Sequence, residues 1–243
     1  MSILRTGTAG WTIPGGVRDE FPPGGSSLER YAARFPCAEI NSTFYRSHRK
    51  STYARWATSV PAEFRFSAKI PREITHKRKL VDCEDLLENF LEETAELGQR
   101  LGVYVVQLAP SHSFDAAIAS TFFESVRDKY AGGLACEPRH ESWNSPDAYE
   151  VLRKYRITRV GADPQPFEGA GASAAYGGFS YYRWHGAPRT YYSPYERSRL
   201  EELASSVREA HAGDIWCIFD NTAAGTAARN ALEFSHIYAA GSL

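Results

Sequence analysis

Short apolar runs alternate with amphipathic stretches and polar loops along the whole chain. Residues 4–10, 37–41, 64–70, 103–108, 133–137, 157–163, 179–186 and 215–219 read as strands, being brief, apolar and bounded by Gly, Pro or charged residues. Between most of them apolar residues recur at helical spacing. The stripes are Leu28, Tyr31 and Ala32; Leu87, Phe90 or Leu91, Thr94, Leu97 and Leu101; Ile118, Phe122 and Val126; Tyr149, Leu152 and Tyr155; and Leu200, Leu203 and Val207. Ser26 with Glu29 has the spacing of a capping box, and Ser145 followed by Pro146 is a helix start. A short helix is expected around 53–57 and a last one over about 225–238, with 71–79 (PREITHKRK) as a loop. The Gly- and Ala-rich segment 164–178 carries no helical pattern.

Eight strand candidates that mostly alternate with helices, at about 30 residues per unit, predict an α/β fold: a single (β/α)8 barrel of the TIM type over residues 1–243. The helix after strand six is missing or irregular. An open doubly wound sheet is the alternative. The short apolar strands suit a parallel sheet covered by helices.

The stretch FSYYRWHG at 179–186 has the most telling alternation. Period two places Tyr181, Arg183 and His185 on one face, and Tyr182 and Trp184 on the other. An Arg and a His on the inner face of a central strand imply a polar cavity, because an unpaired buried charge is costly. The other strands end in the same manner, with Trp11, Asn41, Lys69, Gln107, Glu137, Asp163 and Asp220 at or near their C-terminal ends. Glu39 lies one inward position deeper, and Arg139 and Asn221 lie just beyond. In a TIM-type barrel this face carries the chemistry. Glu39 with Arg65, or Glu137 with Arg183, would equally make internal ion pairs.

Composition narrows the reading. A net charge of -1 over 243 residues excludes a uniformly basic nucleic-acid coat. No run approaches the roughly 20 apolar residues of a membrane span, and the N-terminus lacks a signal-peptide pattern. Cys37, Cys83, Cys136 and Cys217 form no CxxC pair, and three of them fall in apolar strand candidates. They read as reduced core thiols, hence a cytoplasmic protein. The outer helix faces show no large apolar patch, which points to a monomer.

Six ordered segments then resemble one family. TAGW at 8–11, EINSTFY at 39–45, FSAKIPREITH at 66–76, EPRHESW at 137–143, YYRWHG at 181–186 and FDNT at 219–222 are similar to the signature segments of the YecE-like family, a domain of unknown function (number 72). The resemblance runs from about Thr6 to Tyr238. It implies a TIM-type barrel and no particular activity. The Gly- and Ala-rich 164–178, and Trp184 where a Phe is more usual, depart from the pattern.

The strand-end ring is mixed in sign, which frames three functional readings. In the first, the protein is an enzyme for an anionic substrate: a phosphate-bearing sugar, a nucleotide or a nucleic-acid end. Glu137, His185, Glu39 and Lys69 are its catalytic candidates. Glu137 would be the general acid or base and His185 the second proton carrier, while Lys69 and Arg183 clamp the anion, Arg through two donors at once. Trp11, Asn41, Tyr45, His76, Gln107, Arg139, Trp143, Arg183, Tyr192, Asp220 and Asn221 would contact substrate; Tyr191 offers a further flat face. In the second, Glu39, Glu137, His185 and Asp220 bind a divalent metal in a hydrolase or isomerase. No HxH, HxxxH or DxD spacing supports it, and Lys69 and Arg183 would repel a cation. No cofactor is required by the sequence. In the third, the protein binds nucleic acid or an anionic ligand without turnover, with RSHRK at 46–50 and HKRK at 76–79 as a basic rim.

Overall fold

The computed structural model describes residues 3–209 and 213–241. Among the described residues nine strands appear: β1 (Leu4–Thr8), β2 (Cys37–Ile40), β3 (Arg65–Lys69), β4 (Leu101–Gln107), β5 (Gly133–Glu137), β6 (Thr158–Arg159), β7 (Gly161–Asp163), β8 (Ser180–Trp184) and β9 (Ile215–Phe219). The helices are α1 (Ser27–Ala32), α2 (Lys50–Thr58), α3 (Glu84–Thr94), α4 (Ala116–Lys129), α5 (Pro146–Lys154), α6 (Arg197–Arg208) and α7 (Ala227–Ala240).

All strand pairs are parallel, in the orders β2-β3-β4-β5-β6 and β1-β9-β8-β7. β6 and β7 are two halves of the expected sixth strand, which changes partner at Val160. The first half pairs with β5 and the second with β8. β1 and β2 meet at a parallel bridge between Ala9 and Glu39. This order of neighbours is that of a TIM-type α/β barrel.

The period-two pattern places side chains as the sequence predicts. Ala38, Ile40, Phe66, Ala68, Tyr182 and Trp184 join the apolar layer beneath the helices, and Cys37, Val103, Val105, Ala135, Tyr181, Trp216 and Ile218 form a separate inner cluster. The capping box is present: Ser26 Oγ accepts from Glu29 N at 3.3 Å, and Ser26 N donates to Glu29 Oε2 at 2.6 Å. Asp115 and Ser145 cap α4 and α5 with the side chain alone, accepting from Ile118 N and Ala148 N.

Three local expectations change. The stripe from Leu87 to Leu101 does not form one helix, because Gly98 (φ 52°, ψ -131°) breaks it, and Leu101 already belongs to β4. Glu73–Lys77, expected as loop, winds into one π-helical turn that buries Ile74 and Thr75. Segment 164–178 has no helix, as expected, and the structure supplies the reason. It lies against the sixth strand, where Arg159 and Ala174 exchange two backbone hydrogen bonds of 2.9 Å. A Cβ on Gly161 would stand 2.6 Å from the Gly171 carbonyl oxygen, so the contact needs glycine.

The four cysteines are unpaired and buried. Among the described residues no helix is long and apolar enough to cross a membrane.

The junction of β1 and β2 is the tightest backbone approach. A Cβ on Gly7 would lie 2.2 Å from the Cys37 carbonyl oxygen. Gly7→Ala is therefore expected to lower stability by about 3 kcal/mol, read as a fall in the urea midpoint at unchanged slope. A midpoint equal to that of the parent protein would refute this view of the junction.

Candidate functional site

β8 carries Arg183 into the centre of the strand ring with no solvent exposure. A guanidinium has five N–H donors, and every one is used. Nε donates to Glu39 Oε2 at 3.0 Å and Nη2 to Glu39 Oε1 at 2.7 Å. Nη2 also donates to Asp220 Oδ2 at 3.0 Å. Nη1 donates to Gln107 Oε1 at 2.7 Å and to Glu137 Oε2. Four strands, β2, β4, β5 and β8, and the end of β9 thus converge on one cation. Burial alone would lower the guanidinium's pKa, but Glu39, Glu137 and Asp220 raise it well above its ordinary value.

This corrects the role of Arg183. With no donor free and no exposed surface, it cannot clamp a substrate anion. It also bears on metal binding. The guanidinium occupies the space that a cation held by Glu39, Glu137 and Asp220 would need, so these oxygens do not fit a divalent metal.

His185, two residues on and on the same face, is held at both nitrogens. Nδ1 lies 3.0 Å from Asp220 Oδ2 and Nε2 lies 3.1 Å from Glu137 Oε1. Arg139 Nη2 also stands 3.3 Å from Nε2. Arg139 closes the outer side: its Nε donates to Glu137 Oε1 at 2.8 Å and its Nη1 to the Tyr191 hydroxyl at 3.2 Å. Burial would raise the Glu137 carboxyl, but Arg139, then Arg183 and His185, hold it well below the usual carboxylate range. Asp220 is likewise lowered, burial being outweighed by Arg183 and His185. Glu137, Arg139 and His185 line a cavity of about 300 Å³ together with Pro110, Pro164, Gln165 and Thr190.

Lys69 ends β3 beside this network. It is 4% exposed, and its Nζ stands 3.9 Å above the ring of Phe44. Among the described residues the amine makes no hydrogen bond or ion pair. Burial, reinforced by Arg183, brings its pKa down to about 8 against the pull of Glu39, Asp220 and Glu137. His76 packs edge-on to the same Phe44 ring at 4.9 Å, and its Nδ1 meets Thr75 Oγ1 at 2.9 Å. Burial, then Lys69 and Arg139, push His76 down to about 4, so it is neutral near pH 7. Asn41 at the end of β2 keeps a buried Oδ1 without a hydrogen-bond partner.

Glu39, Lys69, Gln107, Glu137, Arg139, Arg183, His185 and Asp220 are therefore brought together, with His76 beside Lys69. Other sequence candidates stand elsewhere. Trp11 packs edge-on against Trp56 at 5.0 Å and Phe66 at 6.0 Å, in the layer beneath the helices. Trp143 is fully buried and donates Nε1 to the His112 carbonyl at 3.0 Å, so it fixes two loops to each other. Asn221 points away from the ring: its Nδ2 donates to the Ser193 carbonyl and to Asn230 Oδ1, tying the end of β9 to α7. Tyr45 is 66% exposed, edge-on to Phe44. Tyr192 is exposed beneath the Arg189 guanidinium, and its neighbour Tyr191 is the one that reaches Arg139 and His185. Asp163 turns to the helix layer and pairs with Arg199 of α6.

One member was missed as a site residue. The Tyr181 hydroxyl donates to Glu39 Oε2 at 3.0 Å and meets Ser67 Oγ at 2.7 Å, supporting Glu39 from below. Period two had already put Tyr181 on the inner face. Tyr191 was expected only as a flat face beside Tyr192, because in a loop nothing in the sequence separates the two.

Comparison with known proteins bears on the family and the fold. Residues 5–242 match the family described as a protein of unknown function, DUF72. The UPF0759 protein YecE of Escherichia coli (strain K12) is 37% identical over 174 residues, 69% of this chain, and the match spans 62% of that relative's length. The UPF0759 protein YunF of Bacillus subtilis (strain 168) is 24% identical over 94% of this chain and 92% of its own. A DUF72 family structure from Thermotoga maritima superimposes with a TM-score of 0.81 at 26% identity, covering 97% of this chain and 98% of its own. One from Enterococcus faecalis gives 0.82 at 21% identity, over 98% and 96%. With its profile matched almost end to end and its fold shared, this chain belongs to the DUF72 family.

Proposed function

We propose that the protein is an enzyme acting on a small anionic substrate, a phosphate-bearing sugar or a nucleotide, at the C-terminal mouth of the strand ring. The observation that carries this reading is Lys69: a buried amine with no hydrogen bond or ion pair among the described residues, close enough to feel Arg183, Glu39, Asp220 and Glu137 of the central network. Such an amine has lost its hydration and gained no fixed anion in return. A substrate oxyanion would supply the missing partner. Arg139 offers a second cationic edge beside the cavity that it lines.

The proton chemistry falls to His185 and Lys69. With a pKa of about 8, roughly a tenth of Lys69 is unprotonated at pH 7, enough to serve as a base. Glu137 and Asp220 are held ionised, which supports orienting roles around His185 instead of proton transfer. Glu39 spends both oxygens on Arg183 and is likewise a positioning residue.

The rim argues for a small ligand over a nucleic acid. Lys77 pairs with Glu73, Lys50 with Glu92, and Lys79 donates to the Ser111 carbonyl, so much of the basic rim is already engaged.

A melting-temperature screen of inorganic phosphate, sugar phosphates and nucleoside monophosphates tests the reading. A phosphate compound should stabilise the parent protein. Lys69→Met should abolish that shift while folding at least as stably, since an unpaired buried amine becomes an apolar side chain of similar length. A Lys69→Met protein that responds like the parent would defeat the reading. With a ligand in hand, conversion followed by NMR separates enzyme from binder: His185→Gln should keep binding and lose turnover.

Arg183→Met should cost at least about 3–5 kcal/mol, because it strips the shared cation from three buried carboxylates. Chemical denaturation measures this, and a loss under about 1 kcal/mol would remove Arg183 from its central place.

Lys69 also makes stability depend on pH. Its folded pKa of about 8 lies below the ordinary 10.5, so between these values the unfolded chain binds more protons and stability rises with pH. Relative to Lys69→Met, the parent should gain on the order of 3 kcal/mol across that window. Parallel stability curves for the two proteins would contradict a buried, depressed amine.

A further inference from the structure

The opposite end of the strands holds a second charged cavity, of about 560 Å³. It opens where strands begin: Arg5 lies in β1, Arg65 starts β3, Gly133 starts β5, and Asp214 immediately precedes β9. Arg127 of α4 and Arg156, which follows α5, complete its cationic wall. Four arginines and one aspartate leave three positive charges in excess. At the rim, Arg100 and Glu63 act on Arg65 with opposite signs.

These guanidiniums are held differently from Arg183. Apart from the Arg5 pair with Asp214 at 3.0 Å, their bonds go to neutral carbonyls. Arg5 reaches the Glu63 carbonyl, Arg65 those of Ala62 and Phe64, and Arg127 those of Tyr155, Tyr130, Gly132 and Arg156. Carbonyl bonds orient a guanidinium without neutralising it. Arg65 and Arg127 accordingly have lowered pKa values, first through burial and next through a neighbouring arginine, Arg5 and Arg156 respectively. Arg100, which shares the Ala62 carbonyl with Arg65, keeps a buried Nε with no partner. Among the described residues, donors remain free on Arg65 and on the exposed Arg156 side chain.

The inner wall is aromatic. Trp216 stacks on Tyr181 at 5.8 Å and lies under the Arg5 guanidinium at 5.7 Å, with Phe179 beside it in the same cluster. A Cβ on Gly102 would come within 2.7 Å of the Trp216 ring, so glycine is what lets the ring fill this end. The aromatic layer stands between this cavity and the Arg183 network above it.

We propose that this N-terminal cavity is a binding site for a small polyphosphate group, free or carried by a nucleotide. Oriented, unneutralised guanidinium forks match phosphate oxygens in pairs. Three excess positive charges suit a multiply charged anion better than a single carboxylate. The volume falls in the range of small-ligand sites. This site is independent of the mouth chemistry, and in this fold class the end it occupies ordinarily serves stability alone.

Calorimetric titration with inorganic pyrophosphate and tripolyphosphate tests it on the full chain. Arg65→Ala and Arg156→Ala should each weaken binding about tenfold or more, the worth of a charge-assisted hydrogen bond. Asp214→Asn should tighten it, by removing the acidic neighbour while leaving Arg5 a carbonyl to bond. A polyphosphate binding event should persist in Lys69→Met and Arg139→Ala, which remove only the anion partners proposed at the mouth. A nucleoside triphosphate that binds more tightly than tripolyphosphate identifies the nucleotide as the source; equal affinity identifies the free polyanion. No heat at millimolar pyrophosphate overturns the proposal. So does a loss of binding in Lys69→Met or Arg139→Ala with none in the Arg65 and Arg156 variants, which would assign the anion to the mouth. Binding of a short RNA with no response to either polyphosphate overturns it as well.

Discussion

One guanidinium organises the centre of this protein. Three carboxylates from three different strand ends cannot share a dry interior unless a cation neutralises them. Arg183 does so with all five of its donors, and in doing so it fixes where Glu39, Glu137, Asp220 and Gln107 stand relative to each other. The position of His185 follows, since its two ring nitrogens meet carboxylates that Arg183 already holds. Arg139 then balances Glu137 from outside, and Lys69 is left as the amine with no anion of its own. The site is a chain of electrostatic consequences that starts at one buried charge.

The same logic sorts the two ends of the strand ring. At the C-terminal end, cations and carboxylates are matched nearly one for one, and the exception, Lys69, is the group with most to gain from a ligand. At the N-terminal end, arginines gather on backbone carbonyls and remain mostly unneutralised. Between them lies an inner layer of Cys37, Val103, Val105, Ala135, Tyr181, Trp216 and Ile218. This layer keeps the local dielectric low, which strengthens each ion pair above it and raises the cost of each unpaired charge.

The strands and the inward-facing polar set were legible because period two is a local property. Glu39, Lys69, Arg183 and His185 fall on the inner face by counting alone, and a face shared by so many charges must meet others of opposite sign. The aromatic candidates were less legible. Trp11, Trp143 and Tyr192 sit in or beside loops, where no repeat assigns a direction. They turned to Trp56, to the His112 carbonyl and to Arg189 instead of the ring. The π-helical turn at Glu73–Lys77 was hidden for a similar reason: what holds it is the burial of Ile74 and Thr75 against the rest of the fold, not a local spacing.

The sequence by itself determined the order of the strands, the inner face shared by Glu39, Lys69, Arg183 and His185, and the helix caps at Ser26 and Ser145. Each of these rests on interactions between residues close in the chain or on a repeat that one strand carries alone. Only the tertiary structure decided that Arg183 is saturated, that Glu137 stays ionised and that Lys69 is left without an anion. Glu39 and Arg183 are 144 residues apart in the chain, and the chemistry of each is set by a partner that folding brings to hydrogen-bond distance. Charge type is written in the chain, but whether a charge is spent or available depends on which others the fold places within a few ångströms of it.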